Sequence, residues 1–241
     1  MIEVEHFSYA YGSTRAVDDI SFSLKTGEIV ALIGPNGAGK STTMKVLTTL
    51  LRPCAGIIRV AGYDVTQDAQ LVRQNLGYLP EDNPLYDDMI VADALASIAQ
   101  QRRIPAAQRR DSIDEAATLC AITPVMHRTI DTLSRGYRQR VGIAQAILHR
   151  PNVLILDEAT TGLDPNQIVE IRDLILQIGK QRTVLISTHI LQEVSAIAKR
   201  VILLNRGKIA LDAPLQTALD AIETQGLAPN IETLFRHYTK S

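Results

Sequence analysis

Cysteine is almost missing from this chain. Only Cys54 and Cys120 occur in 241 residues and neither belongs to a metal-spaced cluster, so a disulfide framework is excluded and free thiols in a reducing compartment are expected. An excess of charge of either sign is missing as well. The 25 basic and 26 acidic side chains leave a net charge of −1, which implies neither a nucleic-acid surface nor a strongly basic membrane patch. Apolar runs such as 201–204 stop far short of the ~20 residues that a membrane-spanning helix needs, so any membrane contact must come through a partner. Residues 1–7 enter strand-like alternation directly, with no positively charged stretch leading an apolar segment, and no secretory leader is expected. Internal repeats and low-complexity segments are lacking too. What remains is an ordinary globular composition, 46% hydrophobic and 21% charged, ample for one large domain or a core with a small subdomain.

Against that background the run Gly34-Pro35-Asn36-Gly37-Ala38-Gly39-Lys40-Ser41 stands out, because it fits the phosphate-loop pattern GxxxxGK[ST]. It lies between an apolar strand-like run at 28–33 and a helical pattern at 41–51, with Thr42 next in the first turn. Gly34, Gly37 and Gly39 let the backbone turn tightly and aim N–H groups at phosphate oxygens, and the helix N-terminus adds positive potential. Lys40 would reach the β- and γ-phosphates, and the Ser41 hydroxyl would ligate Mg²⁺. A nucleoside triphosphate is the expected ligand. The bland alternative is a glycine-rich turn without a ligand.

The purpose of the phosphate is written later in the chain. Residues 153–156 are continuously apolar, the pattern of a strand buried on both faces, and they end in Asp157-Glu158. Carboxylates at the carboxyl end of such a strand lie where open α/β sheets bind ligands. Asp157 can then hold the Mg²⁺ shell and Glu158 can orient or deprotonate an attacking water. An acidic pair that merely caps the next helix is the alternative for this segment on its own.

Residues 133–140, Leu-Ser-Arg-Gly-Tyr-Arg-Gln-Arg, resemble the LSGGQ signature of the ATP-binding cassette (ABC) ATPases. The order of the other segments is that family's order: Tyr11, the phosphate loop, Tyr78-Leu79-Pro80-Glu81, the signature, Asp157-Glu158, Gly162-Leu163-Asp164-Pro165 and His189. The resemblance covers about residues 3–211. It implies that Tyr11 offers a flat face to adenine, and that Ser134 and Gly136 present a helix start across a head-to-tail dimer to the γ-phosphate held by the other subunit. It makes His189 the switch histidine beside the γ-phosphate, Asp164 the residue of the loop that passes between subunits, and Glu81 the counterpart of a glutamine near Mg²⁺ and the attacking water. Ser134 and Asp164 also suit plain helix capping.

Departures from the family pattern are confined to a few positions. Glu81 replaces the usual glutamine, and a carboxylate can still ligate a hard cation. Its segment, 77–86, resembles a bacterial exporter branch that includes gliding-motility and nitrous-oxide-cluster ATPases. Arg135 and Tyr137 replace a glycine and a glutamine of the signature, and Ala159 replaces a proline. No catalytic group is deleted.

The expected fold is α/β: a P-loop NTPase core with an antiparallel β edge and an inserted helical subdomain, the ABC ATPase fold. Core residues are expected at 1–82 and 151–211, the helical subdomain at 83–150 and a helical tail at 212–241. Strand patterns fall at 2–7, 20–24, 28–33, 57–60, 77–79, 153–156, 183–187, 201–205 and 208–211. Helical patterns fall at 91–103, 106–121, 141–148, 214–221 and 231–238, and Arg102, Arg103, Arg109 and Arg110 read as a solvated face, with contact to a membrane partner as the alternative. The implied function is an ATP-hydrolysing subunit of an ABC transporter, an exporter, with ATP and Mg²⁺ as cofactors. It would work as a homodimer, or as a heterodimer with a related ATPase, beneath integral membrane permease subunits at the cytoplasmic face of the membrane. A soluble mechanical ABC ATPase is the alternative, but no coiled-coil insertion or second cassette fits in this length. A small-molecule kinase or GTPase would leave the signature unexplained, and no Asn-Lys-x-Asp base reader occurs.

Overall fold

The computed structural model describes residues 1–240. Strand β1 (Ile2–Tyr11) buries Ile2, Val4 and Phe7 and exposes Glu3 and Glu5, the alternation of a strand with one covered face. It pairs antiparallel with β2 (Thr14–Leu24) on one side and β4 (Ala55–Val60) on the other. With β5 (Tyr63–Asp64) beside β4, the sheet order is β2-β1-β4-β5. His6 sits at φ 52, and the β1–β2 register shifts between Val4 and Phe7, so a bulge interrupts the period. This is why alternation predicts a strand ending at residue 7, whereas pairing continues to Tyr11.

The second sheet holds the parallel strands β3 (Ile29–Ile33), β6 (Leu76–Leu79), β7 (Val153–Asp157), β8 (Thr183–Ser187) and β9 (Arg200–Asn205), with β10 (Lys208–Pro214) antiparallel at its edge. Its order is β10-β9-β3-β8-β7-β6. Every residue of β7 and β8 is buried, as expected for strands covered on both faces. Val30, Leu32, Val153, Ile155 and Leu185 pack with Phe7, Leu24, Met44 and Leu47, while Ala31, Ile33, Leu154, Leu156 and Val184 face the helices. Each such buried aliphatic side chain contributes roughly 1.5–3 kcal/mol, so both layers are needed to hold the central sheet.

Helix α1 (Lys40–Leu47) follows β3 and α2 (Ala69–Asn75) precedes β6. Between β6 and β7 come α3 (Val91–Gln101), α4 (Ala106–Leu119), two short 3-10 turns and α5 (Arg135–Ile147); α6 (Pro165–Gly179) and α7 (Leu191–Ile197) then alternate with β7, β8 and β9. Helices α8 (Leu215–Glu223) and α9 (Ile231–Thr239) close the chain, with Leu234 fully buried. Helix α1 stops four residues before the helical pattern does. The Thr48 hydroxyl bonds back to Met44 O at 2.9 Å, and Thr49 leaves the helix at φ 63. Helix α2 buries only Val72 and β5 has two residues, too little in either for a period to register in the sequence.

The four arginines expected on a solvated face divide. Arg102 Nη1 donates to Arg73 O and Arg109 Nε to Ile104 O, both at 2.8 Å, whereas Arg103 and Arg110 are exposed. Near Arg102, His149 donates Nε2–H to Leu76 O at 3.1 Å, and burial, reinforced by Arg102, pushes its pKa down to about 4. An imidazole neutral in the fold but protonated in the unfolded chain makes stability fall as pH drops from about 6.5 towards 4. The melting temperature of the wild type should therefore decline more steeply than that of His149→Gln across that window. Parallel declines would mean that His149 titrates freely.

Candidate functional site

Immediately after β3 the chain is wedged between its neighbours. A Cβ on Gly34 would lie 2.3 Å from Leu204 O at the end of β9, and one on Gly39, at φ 106, would lie 2.7 Å from Ala16 O in β2. Only glycine permits that path. Ala38 N bonds to Pro35 O at 3.1 Å, which closes the turn. No side chain caps α1 and no acidic residue stands in its first turn, so the N–H groups there await an external acceptor at the positive end of the helix dipole. Lys40 is buried, and its Nζ donates to Gly34 O at 2.7 Å and Pro35 O at 3.2 Å, both carbonyls of its own loop. Burial pulls the Lys40 pKa down, while Glu158, Asp157 and Glu81 oppose the shift.

The acidic pair lies across from this loop. Asp157 is buried and accepts the hydroxyl of Ser187, its partner in the parallel register of β7 and β8; burial raises its pKa, Ser187 counters, and Glu158 adds to the rise. Glu158 takes φ 53, a left-handed conformation that costs an L-residue about 1–2 kcal/mol. Its carboxylate is held from two sides. Oε2 accepts the Thr161 hydroxyl at 3.0 Å and lies 2.7 Å from His189 Nδ1. The His189 ring is half-exposed, whereas Glu158 is 9% exposed.

These groups enclose a cleft of about 530 Å³. Asn36, Gly37, Ala38, Gly39, Lys40, Ser41 and Thr42 form its floor, and Tyr11, Glu81, Glu158 and His189 rim it. Tyr11, 49% exposed, ends β1 and meets Tyr9 edge-on at 4.9 Å, which leaves a ring face available for stacking. Gly34 and Pro35, the acceptors for Lys40, and Asp157 are not part of the cleft lining.

Ser134, Gly136 and Asp164 do not line this cleft. Ser134 caps α5, accepting from Tyr137 N at 3.4 Å, and Asp164 caps α6, accepting from Asn166 N and Gln167 N at 3.0 Å. The two caps share one patch, because Gln167 packs over Gly136 and the Arg135 guanidinium lies against Gly162. Thr161 and Ser187, which hold the two carboxylates, carried no motif in the sequence. Nor did Asn83, whose Nδ2 donates to Arg138 O at 2.9 Å and whose side chain fills the space a Cβ on Gly142 would need. The available signal for Asn83 was a glycine inside a helix, which often marks such a close approach.

Residues 17–161 match the family model for the ABC transporter. The bacitracin transport ATP-binding protein BcrA of Bacillus licheniformis is 33% identical over 216 residues, 89% of this chain and 70% of that protein. A solved ATP-binding subunit of an ABC transporter superposes with a TM-score of 0.88 at 28% identity, covering 100% of both chains. CbiO1 of Clostridium perfringens, described as part of the transporter complex CbiONQ, superposes at 0.83 with 28% identity over 92% of each chain. The chain belongs to the ABC transporter family, and its fold is that of an ABC ATPase. It is an ATP-binding, ATP-hydrolysing transporter subunit.

Proposed function

We propose that the 530 Å³ cleft binds Mg²⁺–ATP, that two copies close head to tail around the nucleotide, and that the closure drives export through separate membrane subunits. The observation that carries this reading is the gathering of Tyr11, the phosphate loop, Glu81, Glu158 and His189 around one cleft. Adenine stacks on Tyr11. The loop amides and Lys40, released from Gly34 O and Pro35 O, take the phosphates. Glu158 accepts the proton of the attacking water as its oxygen reaches the γ-phosphorus, ADP leaves, and His189 steadies the carboxylate through Nδ1. Ser134 and Gly136 of one copy, at the start of α5, face the γ-phosphate bound by the other, and Asp164 lies between the copies.

Ser41, Asp157 and Glu81 would hold Mg²⁺, which would supply charge that neutralises the triphosphate. Among the described residues no three His, Cys, Asp or Glu side chains are grouped to hold a metal, so phosphates and water would have to complete most of the shell. Because Glu81, like Asp157 and Glu158, brings negative charge to bear on Lys40, Glu81→Gln should leave fold and ATP binding intact but shift the Mg²⁺ concentration for half-maximal hydrolysis. Superimposable Mg²⁺ titrations of variant and wild type would mean that Glu81 faces away from the metal.

A second cleft, about 900 Å³, opens between the central sheet and α3–α5. Arg73, Arg102, Arg103 and Arg150 line it and no carboxylate does, which suits a carboxylate-bearing segment of a membrane partner. The subunit then sits at the cytoplasmic face of the membrane, held there by its permease. Purification from native membranes tests this. Recovery with a polytopic membrane protein is expected, while ATPase activity with no such protein attached would favour a soluble mechanical role.

A further inference from the structure

Glu193 is a buried carboxylate that the mechanism above leaves unused. It is 6% exposed in the first turn of α7, four residues past His189; its Oε2 accepts the Thr160 hydroxyl and its Oε1 has no partner among the described residues. Burial raises its pKa. Third position in a helix is where a glutamate commonly reaches back to cap the first free amide. That task is already taken, since Ile190 N donates to the Thr188 hydroxyl at 3.0 Å. Glu193 instead crosses to the segment after β7, on which Glu158 stands two residues before Thr160. Thr160 itself is 2% exposed. A half-satisfied buried carboxyl is worse for stability than an apolar side chain of similar size, so packing does not account for it.

The segments 158–164 and 188–193 are thus tied at two points. At the cleft, His189 Nδ1 meets Glu158 Oε2 at 2.7 Å; behind it, Thr160 meets Glu193. We infer that the Thr160–Glu193 hydrogen bond is a positioning link that fixes the His189 ring against Glu158. This rests on the assignment of Glu158 and His189 to water activation made above. The link forms one side of a closed frame whose other sides are β7, β8 and the Glu158–His189 contact. Removing it frees α7 to shift with His189 attached.

The test compares Thr160→Val, which keeps shape but loses the donor, Thr160→Ser, which restores it, Glu193→Met, and the Thr160→Val/Glu193→Met double variant. Each single loss should lower kcat on the order of tenfold with the KM for ATP little changed, because the defect is misalignment at the reacting atoms. Thr160→Ser should recover most of that loss, and the double variant should be no slower than either single one. Glu193→Met should melt no lower than wild type, which separates misalignment from unfolding. In parallel, the ring ¹⁵N resonances of His189, recorded on nucleotide-free protein, should move in Thr160→Val and Glu193→Met but not in Thr160→Ser. Unmoved resonances, wild-type kcat in Thr160→Val, or additive losses in the double variant would overturn the link. A wild type that hydrolyses no ATP would instead count against the assigned roles of Glu158 and His189, and the His189 resonances would still decide the link.

Discussion

Replacing Glu158 with Gln is expected to cut ATP turnover ~10²-fold or more while leaving ATP binding intact. The amide keeps the shape of the carboxylate, so the left-handed turn at Glu158 and the bond from Thr161 can both persist. What is lost is an acceptor basic enough to take a proton from water. Tyr11 and residues 36–42, the nucleotide-binding groups that line the cleft, lie on its other walls and are untouched. With hydrolysis blocked and binding preserved, the variant should accumulate as an ATP-bound dimer, visible as a doubled mass by light scattering in Mg²⁺–ATP. Turnover near the wild-type rate would remove Glu158 from the role of base.

The second large effect is expected at Ser134. Among the described residues its side chain makes one hydrogen bond, the 3.4 Å cap to Tyr137 N at an exposed helix start, so losing that side chain costs about 1 kcal/mol and the fold should survive. Ser134→Arg places a bulky cation where the partner's γ-phosphate should dock. ATP binding to the monomer should be retained, since no wall of the cleft includes Ser134, but ATP-driven dimerisation and turnover should be lost. Undiminished turnover, independent of protein concentration, would argue for a self-contained site.

What the sequence revealed, and what it hid, follows from how local each constraint is. The phosphate loop was legible because Gly37 and Gly39 sit at φ 78 and φ 106, a local backbone demand that glycine meets most readily, and β7 was legible because burial on both faces forces a continuous apolar run. The extent of β1 was hidden by His6 in a left-handed bulge, with no glycine there to signal it. The residues that hold the carboxylates were illegible for another reason. Ser187 reaches Asp157 only through the register of two strands 30 residues apart, and Thr160 reaches Glu193 only through the path of α7. Motifs name the reacting groups, but pairing and packing decide which neighbours support them. Ser134, Gly136 and Asp164 were legible as motifs, yet within one chain they lie away from the cleft, Ser134 and Asp164 as exposed helix caps and Gly136 buried under Gln167.

The central claim is that one complete site takes its phosphate loop from one copy and its signature from another. Mixing two inactive variants tests it most directly. Lys40→Ala removes the phosphate-binding cation but keeps Ser134, and Ser134→Arg spoils the signature but keeps Lys40. Each alone should be inactive, and the mixture should regain ATPase activity, because a mixed dimer contains one site with both Lys40 and Ser134 intact. A mixture that forms the mixed dimer yet stays inactive, or Ser134→Arg turning over ATP alone at the wild-type rate, would contradict the composite site.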